Sequence, residues 1–145
     1  MFAQEFGSII AYCYEKYPVE LVRHHIPEPV PKQALFVPDP VTTGRMITSA
    51  VYQNTYFAPT RIFASDSAQA YSKAQEIAES IKRNRYIIPL RNEDGSVSTE
   101  KIRIEDVAFR LVDNRVAALD ITWDSNYMID VPAVDKILQV FIRED

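Results

Sequence analysis

The side chains that most often carry catalysis or bind metal are few in this chain. The only histidines are the neighbours His24 and His25, and the only cysteine is Cys13. A histidine that binds metal or acts as a base needs further groups held around its ring. Adjacent residues of an extended segment point to opposite sides, so these two rings cannot readily clamp one ion. We therefore expect a solvated loop pair and no metal site.

Carboxylates are the remaining candidates for acid/base chemistry or cation binding. Asp120 with Asp124, or Glu105 with Asp106, could form such a pair. Residues at even separation on a strand share one face, so Asp120 and Asp124 are expected on the wet face of a hairpin. Carboxylates at this spacing are more often solvated charges than a catalytic or cation-binding pair. A small enzyme that uses Asp120, Asp124 or His24 is the alternative.

Sequence motifs for catalysis or nucleotide binding are absent. The chain has three glycines and no phosphate-cradling glycine loop, Gly-x-Ser-x-Gly or His-Glu-x-x-His pattern. The one local basic cluster, Lys82-Arg83-Asn84-Arg85, is too short to form a groove for nucleic acid. We expect no catalytic residue, no cofactor and no sequence-specific nucleic-acid binding, with a small ligand-binding or nucleic-acid-binding module as an alternative.

Composition and length predict one globular domain over residues 1–145. The apolar share of 47% and the charged share of 25% are ordinary for such a domain, and the net charge of -4 comes from an acidic excess after Ser65. Apolar runs are far shorter than the roughly 20 residues of a membrane span, and the N-terminus lacks a signal pattern. We expect a protein made in the cytoplasm, without a disulfide or a membrane partner.

The first half of the chain alternates helical, irregular and extended patterns. Apolar residues at spacings of three and four predict a helix over residues 2–17, with Cys13 on its buried stripe. Six prolines between Pro18 and Pro40 favour an extended arm, about residues 26–46, that could hold one short edge strand. Aromatic and β-branched residues then predict one long strand over residues 46–63, bent near Pro59.

The second half predicts a helix, a strand, a hairpin and a final helix. Ser65, Asp66 and Ser67 are three N-cap candidates for the next helix, which presents small or branched apolar residues at helical spacing: Ala70, Ala74, Ile77, Ala78 and Ile81. A strand over residues 86–90 and a hairpin over residues 102–123 follow. Residues 131–142 are predicted as a third helix, with a strand as the alternative. The order predicts an α+β fold, a mixed or antiparallel sheet with two or three helices on one face plus the proline-rich arm.

The hairpin pattern is specific enough to predict its register. A loop at Asp113-Asn114-Arg115 pairs apolar residues with one another across the two strands: Leu111 with Ala117, Phe109 with Leu119 and Val107 with Ile121. The apolar phase also shifts after Ile104, which predicts a bulge near Glu105-Asp106.

The arm is too apolar for a solvated linker and too irregular for a core element. A proline-stiffened segment loses little entropy on docking, so we expect it to contact a neighbouring subunit. The candidate subunit-interface residues are Val30, Leu35, Phe36, Val37, Val41 and Met46.

Taken together, these elements resemble the tail terminator, or tail completion, proteins of long-tailed phages. The resemblance extends over most of the chain from Met1 to Asp130 and is carried by several segments: Lys16-Tyr17-Pro18, Tyr52-Gln53-Asn54-Thr55-Tyr56-Phe57 running into Arg61-Ile62-Phe63, the helix from Ala70 to Arg85, Tyr86-Ile87-Ile88-Pro89-Leu90, Val112-Asp113-Asn114-Arg115-Val116 and Ile121-Thr122-Trp123. None of these motifs is diagnostic alone, and the long proline-rich arm departs from the family's simplest pattern.

The resemblance implies a structural protein of the virion tail. Members form a ring, commonly hexameric, that caps the tail tube, stops its polymerisation and joins it to the head. The implied partners are further copies of the same chain, the tail tube protein and the head–tail connector protein. A head–tail connector or other neck protein is the neighbouring alternative.

Overall fold

The computed structural model describes residues 2–129, and it divides them into two helices and seven strands. The elements, in chain order, are α1 (Phe2–Lys16), β1 (Glu20–Val22), β2 (Ala34–Phe36), β3 (Val41–Met46), β4 (Val51–Phe63), α2 (Ser67–Arg83), β5 (Ile87–Arg91), β6 (Val97–Asp113) and β7 (Val116–Met128). The third helix or strand predicted over residues 131–142 lies outside the described residues. No helix within residues 2–129 is long and apolar enough to cross a membrane.

All seven strands join one sheet. Its order is β1-β2-β4-β7-β6-β5, and β3 pairs with the first half of β4 on the side where β2 pairs with the second half. Only β1 and β2 run parallel; every other pair is antiparallel. β4 and β7 are paired along their whole length, so they form the spine of the sheet.

The predicted α+β class needs correction. Strands make up 47% of the described residues, and the sheet curls into a half-barrel with only two helices packed against it. The proline-rich segment is also not an independent arm, because it contributes β2 and β3 to the sheet. Its prolines lie outside these two strands, where the missing N–H groups break no ladder. The fold is therefore mainly β.

The core lies between the two helices and one face of the sheet. All five small or branched residues predicted to face inward from the second helix are fully buried: Ala70, Ala74, Ile77, Ala78 and Ile81. Alternate residues of β7 meet them, from Ala117 to Trp123, and all are fully buried. The side chains that alternate along the strand and those that recur every 3.6 residues on the helix therefore pack against each other in one core.

The α1 helix buries more than its predicted apolar stripe. Ser8 and Tyr12, which lie on the side of the helix opposite that stripe, are 2% and 9% exposed. The Tyr12 hydroxyl forms a short hydrogen bond with the Ser80 hydroxyl of α2 and accepts from the Asn84 amide at 3.1 Å. Because these bonds satisfy the buried hydroxyls of Tyr12 and Ser80, the two helices can pack against each other at polar residues.

The hairpin register is confirmed. Leu111, Phe109 and Val107 pair with Ala117, Leu119 and Ile121, and the register shifts between Ile104 and Asp106, where the bulge was predicted. A second shift, between Leu111 and Asp113, leaves Asn114-Arg115 as the turn, with Arg115 at φ 65°.

The long strand differs from its prediction at its start. It begins at Val51 and not at Met46, because Met46 ends β3 and residues 47–50 turn the chain back into β4. Pro59 lies inside β4 between the residues that pair with β3, which end at Phe57, and the residues that pair with β2, which begin at Arg61. Its missing N–H therefore costs no hydrogen bond.

Candidate functional site

The residues singled out for chemistry are not brought together. His24 and His25 are exposed on the loop after β1, and the nearest carboxylate to His24 is that of Asp39, 3.8 Å from Nε2. Cys13 is 2% exposed, and burial raises the pKa of its thiol to about 12. Since the thiolate is the nucleophile, a pKa this high makes Cys13 inert at neutral pH.

Asp120 and Asp124 are equally separate, and Glu105 and Asp106 are both exposed at the register shift of β6. Asp120 lies 3.6 Å from the Arg61 guanidinium, and Asp124 accepts a hydrogen bond of 2.6 Å from the Thr55 hydroxyl. Four residues along one strand place the two carboxylates roughly 13 Å apart, too far to share a proton or an ion. Within residues 2–129, no three potential ligands are close enough to hold a metal.

One cleft of about 500 Å³ lies between α1 and the loop joining β5 to β6. Three of its polar side chains are used inside the chain. Gln4 donates to the Arg91 carbonyl at 2.9 Å, Ser8 accepts from the Arg91 N–H at 2.8 Å, and the Arg91 guanidinium forms a close ion pair with Glu15. These contacts fasten the loop to the helix. The rest of the lining consists of small residues with Asn92 and Glu93, an arrangement without a catalytic pair.

The most unusual surface is at one end of the sheet, where three strands extend together. This three-stranded end consists of β3, residues 51–57 of β4 and residues 122–128 of β7, paired in register across all three strands. Every residue of β3 is exposed, and residues 51–55 are only half-buried. It also carries a disproportionate share of the exposed large apolar side chains of the described residues: Val41, Met46, Phe57 and Met128, with Ile47 in the adjoining turn.

Apolar side chains occur on both faces of the three-stranded end. On the outer face Val41 pairs with Phe57, and Val51 pairs with Met128, which is 75% exposed. On the face shared with the core, Met46 lies opposite Tyr52, whose ring stacks on that of Tyr127 with centroids 5.4 Å apart. A strand that packs on the core with one face only normally alternates apolar with polar residues. Apolar groups on both faces make the three-stranded end the candidate contact surface of the chain.

A half-buried polar cluster braces this end. The hydroxyls of Tyr56 and Tyr127 are 2.8 Å apart, and the Ser125 hydroxyl forms a close hydrogen bond with the Glu5 carboxylate of α1. Burial, the bond to Tyr56 and the nearby charge of Glu5 raise the pKa of Tyr127, so its hydroxyl stays protonated. The cluster anchors the three-stranded end to the helix and thereby fixes its position.

The predicted interface residues fall into three groups. Leu35 is 0% and Val37 2% exposed, so both belong to the core of the chain and are removed from the interface set. They are buried because β2 enters the sheet under the helices. Phe36 is half-buried against the small cluster of Val22, Ala34 and Phe63.

The other three predicted residues are exposed. Val30 lies on the loop between β1 and β2, whereas Val41 and Met46 belong to the three-stranded end. Subunit contact through these residues stays a prediction. Sequence reasoning did not single out three further exposed apolar residues of this surface: Ile47, Phe57 and Met128. Ile47 and Phe57 fall within the predicted long strand and Met128 beyond the predicted hairpin, and no local signal tells an exposed apolar residue from a core one.

No protein-family model matches the chain. Two curated proteins of Bacillus subtilis (strain 168) do. The phage-like element PBSX protein XkdJ is 32% identical over 123 residues, which is 85% of this chain and 84% of that protein. The uncharacterized protein YqbJ is 31% identical over 124 residues, 86% of this chain and 85% of its own length. At this identity over nearly the full length of both partners, the chain belongs to the phage-associated protein family that contains XkdJ and YqbJ.

Proposed function

We propose that this protein is a tail terminator, which forms a ring on the end of the phage tail tube, stops its growth and joins it to the head. The observation that carries the proposal is the three-stranded end, where an exposed strand and apolar side chains on both faces stand outside the core of one chain. Membership in a family with a phage-element protein supports a role in the particle. In this proposal the protein acts through complementary surfaces and catalyses no reaction.

The proposed partners follow from this role. They are further copies of the chain, the tail tube protein and the connector at the head, and the proposed location is the tail of the virion. Neither nucleic acid nor membrane is among the proposed partners. The acidic balance of the chain, -4 overall, is suited to a passage that DNA must cross without adhering, because like charges repel.

Tube growth tests the proposal directly. Purified tail tube protein from the same phage element is allowed to polymerise, and the chain is added during elongation. A terminator arrests elongation, so electron micrographs should show shorter tubes with a ring of added density at one tip. Tubes that grow to the same lengths with bare tips would contradict the proposal.

A head–tail connector or other neck protein is the competing function. It would bind the head-side connector protein and leave tube lengths unchanged. Co-sedimentation with tubes and with connector rings, run in parallel, therefore separates the two functions by partner as well as by effect on length.

A further inference from the structure

The backbone of β3 offers an unused row of hydrogen-bonding groups. Ile47, the residue after β3, donates its N–H to the Val51 carbonyl at 2.9 Å. Residues of an antiparallel strand alternate between facing the partner and facing away. Arg45 and Thr43 therefore direct their N–H and C=O groups to β4, while Thr42, Gly44 and Met46 direct theirs outward. Within residues 2–129, no strand pairs with that outer side.

A second unused row lies on the opposite side of the same three strands. Ile129 donates its N–H to the Ala50 carbonyl at 2.8 Å, so the odd-numbered residues of β7 face β4. The even-numbered residues face β6, but β6 leaves β7 at Trp123 and turns to pair with β5. Asp124, Asn126 and Met128 therefore present their backbone groups to an edge that no described strand occupies.

The two edges match each other. They lie at the same level, because residues 41–46 of β3 are in register with residues 52–57 of β4 and through them with residues 122–127 of β7. Their directions are also the same, since each is antiparallel to β4. A copy of the chain that set its β3 beside residues 124–128 of β7 would add a parallel strand to this end of the sheet. The copy must be rotated as well as displaced, because β6 already pairs with residues 116–123 of β7, where a simple displacement would place the copy's β2.

Charge favours this head-to-tail arrangement over a symmetric one. Arg45 on β3 and Asp124 on β7 both lie on the outer face, as their β4 partners Gln53 and Thr55 show. Pairing β3 of one copy with β7 of the next brings opposite charges to one face. Pairing two β3 edges about a two-fold axis would bring no opposite charges together, because Arg45 is the only charged residue of β3.

We propose that copies of this chain join through the edge of β3 in one and residues 124–128 of β7 in the next, continuing the sheet from subunit to subunit. Such a heterologous contact closes into a ring when its rotation allows. This inference deepens the proposed function, because it supplies the contact of the ring on which that function rests. It also explains why β3 lacks the prolines and lysines that usually protect an edge strand.

Crosslinking between two single variants tests the pairing. Arg45→Cys and Asn126→Cys place one thiol on each edge and on the same face, and the buried Cys13 does not compete. The two variants are mixed, on tail tubes and in solution, and treated with a short bismaleimide. We expect a crosslinked dimer in the mixture and none in either variant alone. A dimer from Arg45→Cys alone would overturn the proposal in favour of a symmetric contact.

A proline variant tests the role of the backbone. Thr42→Pro removes an outward N–H and leaves the β3–β4 ladder intact, whereas Thr42→Ala removes the same side chain and keeps the N–H. We expect Thr42→Pro, folded by circular dichroism, to need roughly tenfold more protein to assemble or cap tubes, and Thr42→Ala to match the wild type. Equal assembly by the two variants would contradict edge pairing.

The outcomes keep the two proposals separate. Wild-type protein that caps tubes without the mixed crosslink would refute the edge contact and leave the terminator function standing. Wild-type protein that neither caps tubes nor self-associates would refute both. Deletion of residues 130–145 tests the other possible occupant of the β7 edge, the chain's own C-terminal segment. If the mixed crosslink forms only after this deletion, that segment covers the edge in the full chain, and the proposal is overturned.

Discussion

At the scale of single residues, several side chains that could carry chemistry lie instead in contacts within the chain. Cys13 shows this most clearly, because burial raises the pKa of its thiol to about 12. The folded state therefore disfavours the thiolate, whereas the unfolded chain ionises near pH 8.5. The stability that comes from the buried neutral thiol is complete below that pH and is lost as the pH rises towards the folded pKa.

Two measurements check this prediction for Cys13. Native protein at pH 8 should resist a thiol reagent and react only after unfolding, so rapid native labelling would be incompatible with the buried position. Raising the pH from 8 to 10.5 should reduce the free energy of unfolding of the wild type by about 2 kcal/mol more than that of Cys13→Ala. The variant is the control because the tyrosines titrate in both proteins.

Tyr12 gives a second prediction at this scale. Its hydroxyl bonds to Ser80 and Asn84 between the two helices, so Tyr12→Phe leaves the buried Ser80 hydroxyl without this partner. We expect a loss of about 1 to 2 kcal/mol in a urea titration. Tyr14→Phe is the matched control, since Tyr14 is 44% exposed and its change should stay within about 0.5 kcal/mol. Equal losses in both variants would show that the hydroxyl network contributes nothing.

At the scale of elements, the α2 helix begins at a cap that the sequence indicated. Asp66 accepts a hydrogen bond from the Gln69 N–H at 2.8 Å, and Ser65 or Ser67 had been equal candidates for this position. Asp66→Ala should lower stability by about 1 kcal/mol, while Asp66→Asn keeps an acceptor and should lose much less. Thermal melts of both variants decide between capping and simple surface charge as the role of Asp66.

The hairpin supports a further prediction because its register is known. Phe109 is half-buried and its ring lies 5.3 Å from that of Tyr71, so Phe109→Ala should lose less than a full core truncation, about 1.5 to 2.5 kcal/mol. Leu111, two residues along the same face, is 45% exposed, and Leu111→Ala should cost under about 0.5 kcal/mol. A reversed order of the two losses in denaturant melts would be inconsistent with the packing.

These elements show how far sequence reasoning reaches. Periodicity identified α1, α2 and the hairpin register because each depends on residues close in sequence, and facing apolar pairs allow only one alignment. It missed that Leu35 and Val37 are core, because a three-residue strand between prolines has no period to read. It also missed the exposure of Met128, since exposure depends on where β6 leaves β7, which is a property of the whole sheet.

At the scale of the molecule, burial removes part of the predicted arm from the set of assembly residues. Val37 is 2% exposed, so Val37→Asp should unfold the chain and not only block assembly, because it buries an unpaired charge. The contact with other copies is instead expected at the three-stranded end, whose apolar side chains no described element covers. The expected assembly surface is therefore a part of the sheet that is braced by Tyr56 and Tyr127, and not a separate proline-stiffened arm.

Met128 offers the sharpest test of that position. Its side chain is 75% exposed beside the free edge of β7, so Met128→Asp should fold normally, yet bury a carboxylate without a partner wherever another copy docks. Val97→Asp is the matched control, because Val97 is 61% exposed on β6, at the opposite end of that strand from the β6–β7 turn. We expect Met128→Asp to lose self-association in light scattering and to leave tube growth unchecked in micrographs, while Val97→Asp keeps both activities. If Val97→Asp fails and Met128→Asp assembles, the contact lies at the β5–β6 loop and not at the three-stranded end.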